Sequence, residues 1–317
     1  MSSRVLVSPD IPQDWLAPLE LAGHELVVLP PDDRGHHGLV AAAGGADGIL
    51  TTLTERIDAE VLEAGAAGRL RVVANVAVGV DNIDIRRAAQ LGVAVCNTPG
   101  VLDAATADIA MLLVLSACRL ASDAERVLRA AQWHGWQLTG FLGKDLEGAR
   151  LGLVGYGGIG RAVERRALGF GMQVAHHARH STGLPGYVGD LGELLGASDV
   201  VSVHVPLTAE TTGLINAERI ARMPRGAVLV NTARGAVVDE EALVEALESG
   251  HLGAAGLDVF VGEPYASPRL LRAPHLVLLP HIGSATFGAR RRMTELACNG
   301  LCEVLAGRQP PNLVAAT

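Results

Sequence analysis

The chain has 317 residues, 49% of them hydrophobic, 19% charged and only 3% aromatic, with 38 glycines. Cores must therefore be built from Ala, Val and Leu, and collagen, disordered and coiled-coil classes are excluded. A net charge of −8, without a basic run or an aromatic-rich strand, argues against nucleic-acid and membrane-surface partners.

At roughly 100–200 residues per domain, this length suits one large domain or two ordinary ones. β-branched runs predict strands at 4–7, 25–29, 48–51, 70–75 and 93–96, then at 150–154, 173–176, 200–205, 227–231, 253–258 and 276–279. Ala/Leu/Arg-rich helical stretches lie between them. This alternation predicts α/β lobes with parallel sheets, and the unbroken apolar character of the runs predicts strands buried on both faces. The turn cluster Thr98-Pro99-Gly100 marks a boundary, beyond which 103–120 (DAATADIAMLLVLSACRL) predicts a long buried helix. A last helix over 288–307 has Met293, Leu296, Ala297, Leu301, Val304 and Leu305 at three- and four-residue spacing, one buried face. A second boundary near 285–287 lets it return to the first lobe, which is therefore split in sequence.

Cys96, Cys118, Cys298 and Cys302 are too few for a disulfide framework. Cys298 and Cys302, one helical turn apart, are expected to be packed thiols rather than metal ligands. The opening MSSRVLVSPDIP has no charged region leading into an apolar one, and no apolar run reaches the ~18 residues of a spanning helix, so a cytoplasmic location is expected.

The segment RLGLVGYGGIG (150–160) closes an apolar strand and opens a helix, with a further strand behind it. That context makes G-x-G-x-x-G a dinucleotide fingerprint. Gly155 permits the turn, Gly157 lets backbone approach a pyrophosphate, and Gly160 lets the helix pack on the sheet. With Gly158 and Ile159 they form a helix N-terminus whose N–H groups and dipole suit phosphate. About 20 residues on, NAD sites carry an acid for the ribose 2′-hydroxyl. Here that strand ends in His176-His177-Ala178-Arg179-His180, with no acid. Arg179, aided by His177, His180 or Ser181, can meet a 2′-phosphate, so NADP(H) is expected in preference to NAD(H). A solvated strand-end charge and a metal site are the competing readings of this segment.

Three further segments carry chemistry: LVNTARG with Arg234, GLDVFVGEP with Asp258 and Glu263, and LPHIGSAT with His281. All place polar groups just past strand C-termini, where open α/β sheets bind ligands. Taken singly, a surface Arg, a loop Glu and a satisfied loop His would account for them. Their joint occurrence downstream of a dinucleotide motif points to a reaction centre.

Over nearly its whole length the chain resembles the D-isomer-specific 2-hydroxyacid dehydrogenases. The matching stretches are NVAVGVDNID (75–84), NTPGVLDAATADIAMLL (97–113), the glycine turn, HVPLTAETTGLIN (204–216), NTARGAVVDEEALVEAL (231–247), GLDVF and LPHIGSAT. AVGVDNID, the Trp133–Trp136 pair and the acid-free HHARH are most similar to glyoxylate/hydroxypyruvate reductases. The resemblance implies two doubly wound lobes: a Rossmann NAD(P)-binding domain over 102–286, and a flavodoxin-like substrate domain from 1–101 plus 287–317. It also implies a homodimer joined through the coenzyme domains. The sequence departs from the family at Gly158, where many members carry Arg.

The reaction so implied is 2-oxoacid + NADPH + H⁺ giving D-2-hydroxyacid + NADP⁺, with glyoxylate and hydroxypyruvate as substrates. A larger 2-oxoacid, such as 2-ketogluconate or a hydroxyphenylpyruvate, and a non-catalytic NAD(P)-sensing adaptor are the alternatives. His281 is the expected proton donor, Glu263 its orienting partner, and Arg234 the group that binds the substrate carboxylate and polarises the carbonyl. By resemblance, backbone N–H groups of Val78 and Gly79 also meet the carboxylate, while Leu53 shapes the pocket. Trp133 and Trp136, rare aromatics near a domain junction, are read either as lining the pocket, with Trp136 at the substrate and the pair reaching from a partner subunit, or as packing anchors. Thr106, His204, Val205, Pro206, Thr232, Ala233, Asp258, Gly283 and Ser284 match positions that contact the cofactor in relatives, Asp258 through the nicotinamide carboxamide.

Overall fold

Among the described residues eleven short runs become strands, and every pairing between them is parallel. A computed structural model describes residues 2–315. They divide into two units: unit 1 from Met1–Leu102 with Thr286–Thr317, and unit 2 from Asp103–Ala285.

Unit 1 holds β1 (Arg4–Val7), β2 (Glu25–Val28), β3 (Gly48–Thr51), β4 (Val72–Asn75) and β5 (Ala94–Cys96), in the order β2-β1-β3-β4-β5. After β2 the chain crosses back to the far side of β1, which makes the sheet doubly wound. The helix Phe287–Leu305 lays Ala297, Cys298, Leu301 and Leu305 against Val5, Val7, Leu50, Val72 and Ala74. Thr286 caps it by accepting from the Ala289 N–H at 3.0 Å. Cys298 is sealed in this core, where burial pushes its thiol up to about 12, and half-buried Cys302 donates to the Pro18 carbonyl at 3.7 Å. No cluster of metal-ligating side chains occurs among the described residues.

Unit 2 holds β6 (Arg150–Val154), β7 (Gln173–His177), β8 (Val200–Val203), β9 (Ala227–Asn231), β10 (Leu252–Leu257) and β11 (Leu276–Leu278), in the order β11-β10-β9-β8-β6-β7. Helix Asp103–Cys118 buries Ala107, Ala110, Met111, Leu113 and Val114 against one face of this sheet. Among the described residues no single helix is long and apolar enough to cross a membrane; this helix and Ala121–Arg129 pass by length and composition only as a pair bent by 69°.

One expectation needs correcting. The central strands are buried on both faces, but β2 and β7 are only half-buried. Both are sheet edges, and an edge strand has a neighbour on one side only.

Candidate active site

Winding direction reverses at β6 in unit 2, because β7 lies on one side of it and β8 on the other. The crevice at such a switch point, beyond the strand C-termini, is where open α/β sheets take ligands. The glycine turn occupies it. Gly155 sits at φ +99°, and a Cβ there would lie 2.6 Å from the His204 carbonyl oxygen. A Cβ on Gly160 would lie 2.5 Å from the Gly155 oxygen. Both positions thus demand glycine for reasons internal to the fold. Gly157 is different: a Cβ there meets nothing within 4 Å. Helix Gly158–Gly169 begins immediately after it, with no side-chain cap on its first N–H groups. An open cradle of uncapped N–H groups fits a diphosphate.

The departure at Gly158 also has a structural counterpart. A Cβ on this residue would run into the Asp103 carboxylate, which stands over the start of the helix. Burial raises the Asp103 pKa, against the opposing charge of Arg165. An Arg at 158 would require Asp103 to move.

Beside the turn, β7 pairs with β6 so that His177 lies opposite Val154, and the Gly155 N–H donates to the His177 carbonyl at 2.9 Å. The acid-free segment is thereby fixed next to the phosphate cradle. Its members have different surroundings. His176 is fully buried, stacked on the Tyr156 ring at 3.6 Å and hydrogen-bonded through Nε2 to Thr182 at 2.8 Å. His177 Nδ1 meets the Val188 carbonyl at 3.0 Å, and Ser181 Oγ accepts from the Gly183 N–H. Arg179 and His180 remain exposed.

The polar groups past β9, β10 and β11 come from neighbouring strands. His281 Nδ1 lies 2.7 Å from Glu263 Oε2. The backbone of His281 takes a left-handed conformation (φ +54°), and its N–H donates to the Asp258 carbonyl at 2.8 Å. Asp258 is 1% exposed, and its two carboxylate oxygens accept from the Ile282 and Gly283 N–H groups at 2.7 Å each. It anchors the His281 loop, where the sequence suggested a contact to the nicotinamide carboxamide. Burial raises its pKa despite those two bonds.

Burial also pushes Glu263 upward. The hydrogen bond and charge of His281, the Phe260 N–H at 3.1 Å and the charge of Arg234 outweigh it, and the net effect is a lowered pKa. Arg234 therefore contributes its field at Glu263, and its guanidinium also donates to the Ala233 carbonyl at 2.7 Å. The loop carrying Arg234 is braced by Asn231, whose Nδ2 donates to the Arg234 carbonyl at 2.8 Å while its Oδ1 accepts from the Ala233 N–H at 2.9 Å.

Other expected cofactor residues line the same edge. Val205 is half-buried and Pro206 exposed, whereas Thr106, Thr232 and Ala233 are buried and Ser284 is half-buried. His204 has its ring turned inward: Nε2 meets Ser202 at 2.9 Å and Nδ1 meets Thr232 at 3.3 Å. Burial pushes its pKa down to about 4, so the ring is a neutral strut with both nitrogens engaged. Trp133 and Trp136 are 53% and 79% exposed.

In unit 1, Leu53 is exposed on the loop after β3, and Val78 and Gly79 are half-buried on the loop after β4. The carbonyls of Ala77, Val78 and Gly79 accept, in turn, from the Thr98 N–H at 2.9 Å, Asn97 Nδ2 at 2.8 Å and Asn75 Nδ2 at 2.9 Å. The N–H groups of Val78, Gly79 and Val80 have no acceptor among the described residues. Successive free N–H groups of this kind form an anion-binding concavity. The asparagines that build it were missed by sequence reasoning. Their one signal, shared with Asn231 beside Arg234, is that Asn75 and Asn97 stand at or just after a strand end.

With this geometry established, comparisons with known proteins extend it. Residues 111–283 match the family model described as D-isomer specific 2-hydroxyacid dehydrogenase, NAD binding domain. A glyoxylate reductase of Thermococcus onnurineus is 44% identical over 325 aligned positions, covering 99% of this chain and 96% of the relative. The crystal structure of a glyoxylate reductase from Paecilomyes thermophila is 35% identical with a TM-score of 0.88, covering 99% of this chain and 98% of that one. A Sinorhizobium meliloti structure described as an NADPH-dependent glyoxylate/hydroxypyruvate reductase in complex with NADP and malonate is 34% identical with a TM-score of 0.88, covering 100% and 98%.

The His281–Glu263 contact has a pH signature. Because the folded-state pKa of Glu263 is depressed below its ordinary 4.5, the stabilisation it provides is present above that value and is lost as pH falls through the folded value. Thermal unfolding of the wild type and Glu263→Gln should differ at neutral pH, and the difference should shrink steadily below about pH 4.5. A gap that stays constant down to acid pH contradicts this electrostatic assignment.

Proposed function

The chain belongs to the D-isomer-specific 2-hydroxyacid dehydrogenase family, and on that premise we propose that it reduces small 2-oxoacids, glyoxylate and hydroxypyruvate, to D-2-hydroxyacids with NADP(H). The observation that carries this reading is the 2.7 Å contact between His281 Nδ1 and Glu263 Oε2, within the field of Arg234.

Bound NADPH supplies the hydride. The residues proposed to hold it are Gly155, Gly157, Gly158, Ile159 and Gly160 at the diphosphate, Arg179 at the 2′-phosphate, and the edge from Val205 to Ser284 beyond. When hydride reaches the carbonyl carbon, negative charge develops on the oxygen and a proton must follow. With Nδ1 held by Glu263, His281 offers Nε2 as the atom that carries and releases this proton. The planar fork of Arg234 can bind the substrate carboxylate and polarise the carbonyl. In unit 1, the free N–H groups of Val78 and Gly79 are donors of a kind suited to a carboxylate.

The 2′-phosphate assignment rests on the strand end itself. The segment after β7 is fastened to the glycine turn and presents exposed Arg179 with no acid in His176–His180. We also assign a second copy of the chain as partner for the exposed apolar residues Leu128, Trp133, Trp136, Leu138 and Leu142 in unit 2.

His281→Ala should lower kcat with glyoxylate by about 10²–10⁴-fold and leave the NADPH dissociation constant nearly unchanged; turnover close to wild type would remove His281 from proton transfer. Arg179→Ala should raise the NADPH dissociation constant by about tenfold or more while moving that of NADH far less, since a charge-assisted bond to phosphate is lost only with NADPH. Equal loss with both cofactors would place the 2′-phosphate elsewhere.

A further inference from the structure

The loop after β4 has a regular construction. A trans peptide is planar, so its C=O and the N–H of the following residue point in opposite directions. Whatever holds a carbonyl therefore also sets the direction of the next N–H. Three successive peptide units are held in this way: Ala77–Val78 by the Thr98 N–H, Val78–Gly79 by Asn97 Nδ2, and Gly79–Val80 by Asn75 Nδ2. The three N–H groups on their opposite sides belong to Val78, Gly79 and Val80, and none has an acceptor among the described residues.

Asn97 is itself tightly placed. Its backbone N–H donates to the Asn312 carbonyl at 3.2 Å, and Asn312 Nδ2 returns a bond to the Asn97 carbonyl at 2.8 Å. With both of its backbone polar groups engaged, the side chain has a fixed base from which to reach Val78. The Val78–Gly79 peptide is the unit most dependent on such a holder, because Gly79 has no Cβ to restrict its rotation. Asn75 is buried, and its Nδ2 also donates to Asn82 Oδ1 at 3.0 Å. Asn82 in turn donates to the carbonyls of Thr52 and Glu55 at 2.9 Å each, which couples this loop to the one bearing Leu53.

We propose that Asn97 is a positioning residue for substrate: by holding the Val78 carbonyl it turns the Gly79 N–H, together with those of Val78 and Val80, toward the substrate carboxylate. This rests on the reading that the loop binds a carboxylate. In this role Asn97 acts through the Val78 carbonyl, and that requires a donor, not merely a side chain of the right size. Asparagine and aspartate have the same shape, but ionised aspartate donates nothing and repels the carbonyl it faces.

The test compares wild type, Asn97→Ala and Asn97→Asp near pH 7.5. It measures KM and kcat for glyoxylate, the inhibition constant of oxalate, the NADPH dissociation constant and the melting temperature. Both variants should raise the glyoxylate KM and the oxalate inhibition constant in parallel, by about tenfold or more, as expected when binding of a shared carboxylate is lost. The larger part of the effect should fall on KM, and NADPH binding should not move. A wild-type-like Asn97→Asp would overturn the donor role. So would losses in which NADPH affinity falls along with glyoxylate binding and the melting temperature drops, because those mark collapse of the loop. If the wild type neither reduces glyoxylate nor binds oxalate, the failure lies in the carboxylate reading itself.

Discussion

The hydrogen bond between His281 and Glu263 joins the two groups on which the proposed chemistry depends, and no single element provides it. Glu263 follows β10 and His281 follows β11, so the two meet only because these strands are parallel neighbours whose C-termini open on one edge. The left-handed backbone of His281 is an uncommon conformation for a residue with a side chain. It is held there by the Asp258 carbonyl on its own N–H and by the Asp258 carboxylate on the next two. Such a site depends on buried anchors as much as on its reactive groups.

Strand-end asparagines are the recurring anchors. Asn75, Asn97 and Asn231 each use a side-chain amide to take a carbonyl of a loop that carries functional groups. Loop backbone at the sheet edge cannot extend the ladder, so its polar groups need other partners. An amide that reaches back to a loop carbonyl satisfies one such group and also fixes the direction of the neighbouring N–H. The two units use this device for different ends: beside Arg234 in unit 2 it braces a side-chain cation, and at Val78–Val80 in unit 1 it leaves backbone donors free.

Much of this was legible in the sequence because its signals are local. Short runs rich in Val, Ile, Leu or Ala announced the strands, and the strand–turn–helix context identified the cradle at Gly155–Gly160. The order of the strands was not legible, and neither was the edge status of β2 and β7, since both follow from crossovers far along the chain. Side-chain direction was the other loss. HHARH gave no indication that His176 turns inward onto Tyr156 while Arg179 stays outside. In the same way His204 was expected at the cofactor, yet its ring lies between Ser202 and Thr232. The anchoring role of Asp258 depends on a loop that returns from β11, and nothing near Asp258 in sequence announces it.

The measurement that tests the central claim most directly is the initial rate of NADPH oxidation by the wild-type protein with glyoxylate, followed at 340 nm beside the same assay with NADH. The roles proposed for His281, Glu263, Arg234 and Arg179 predict turnover, with the higher kcat/KM for NADPH. Absence of turnover with both cofactors, for glyoxylate and hydroxypyruvate alike, would contradict it.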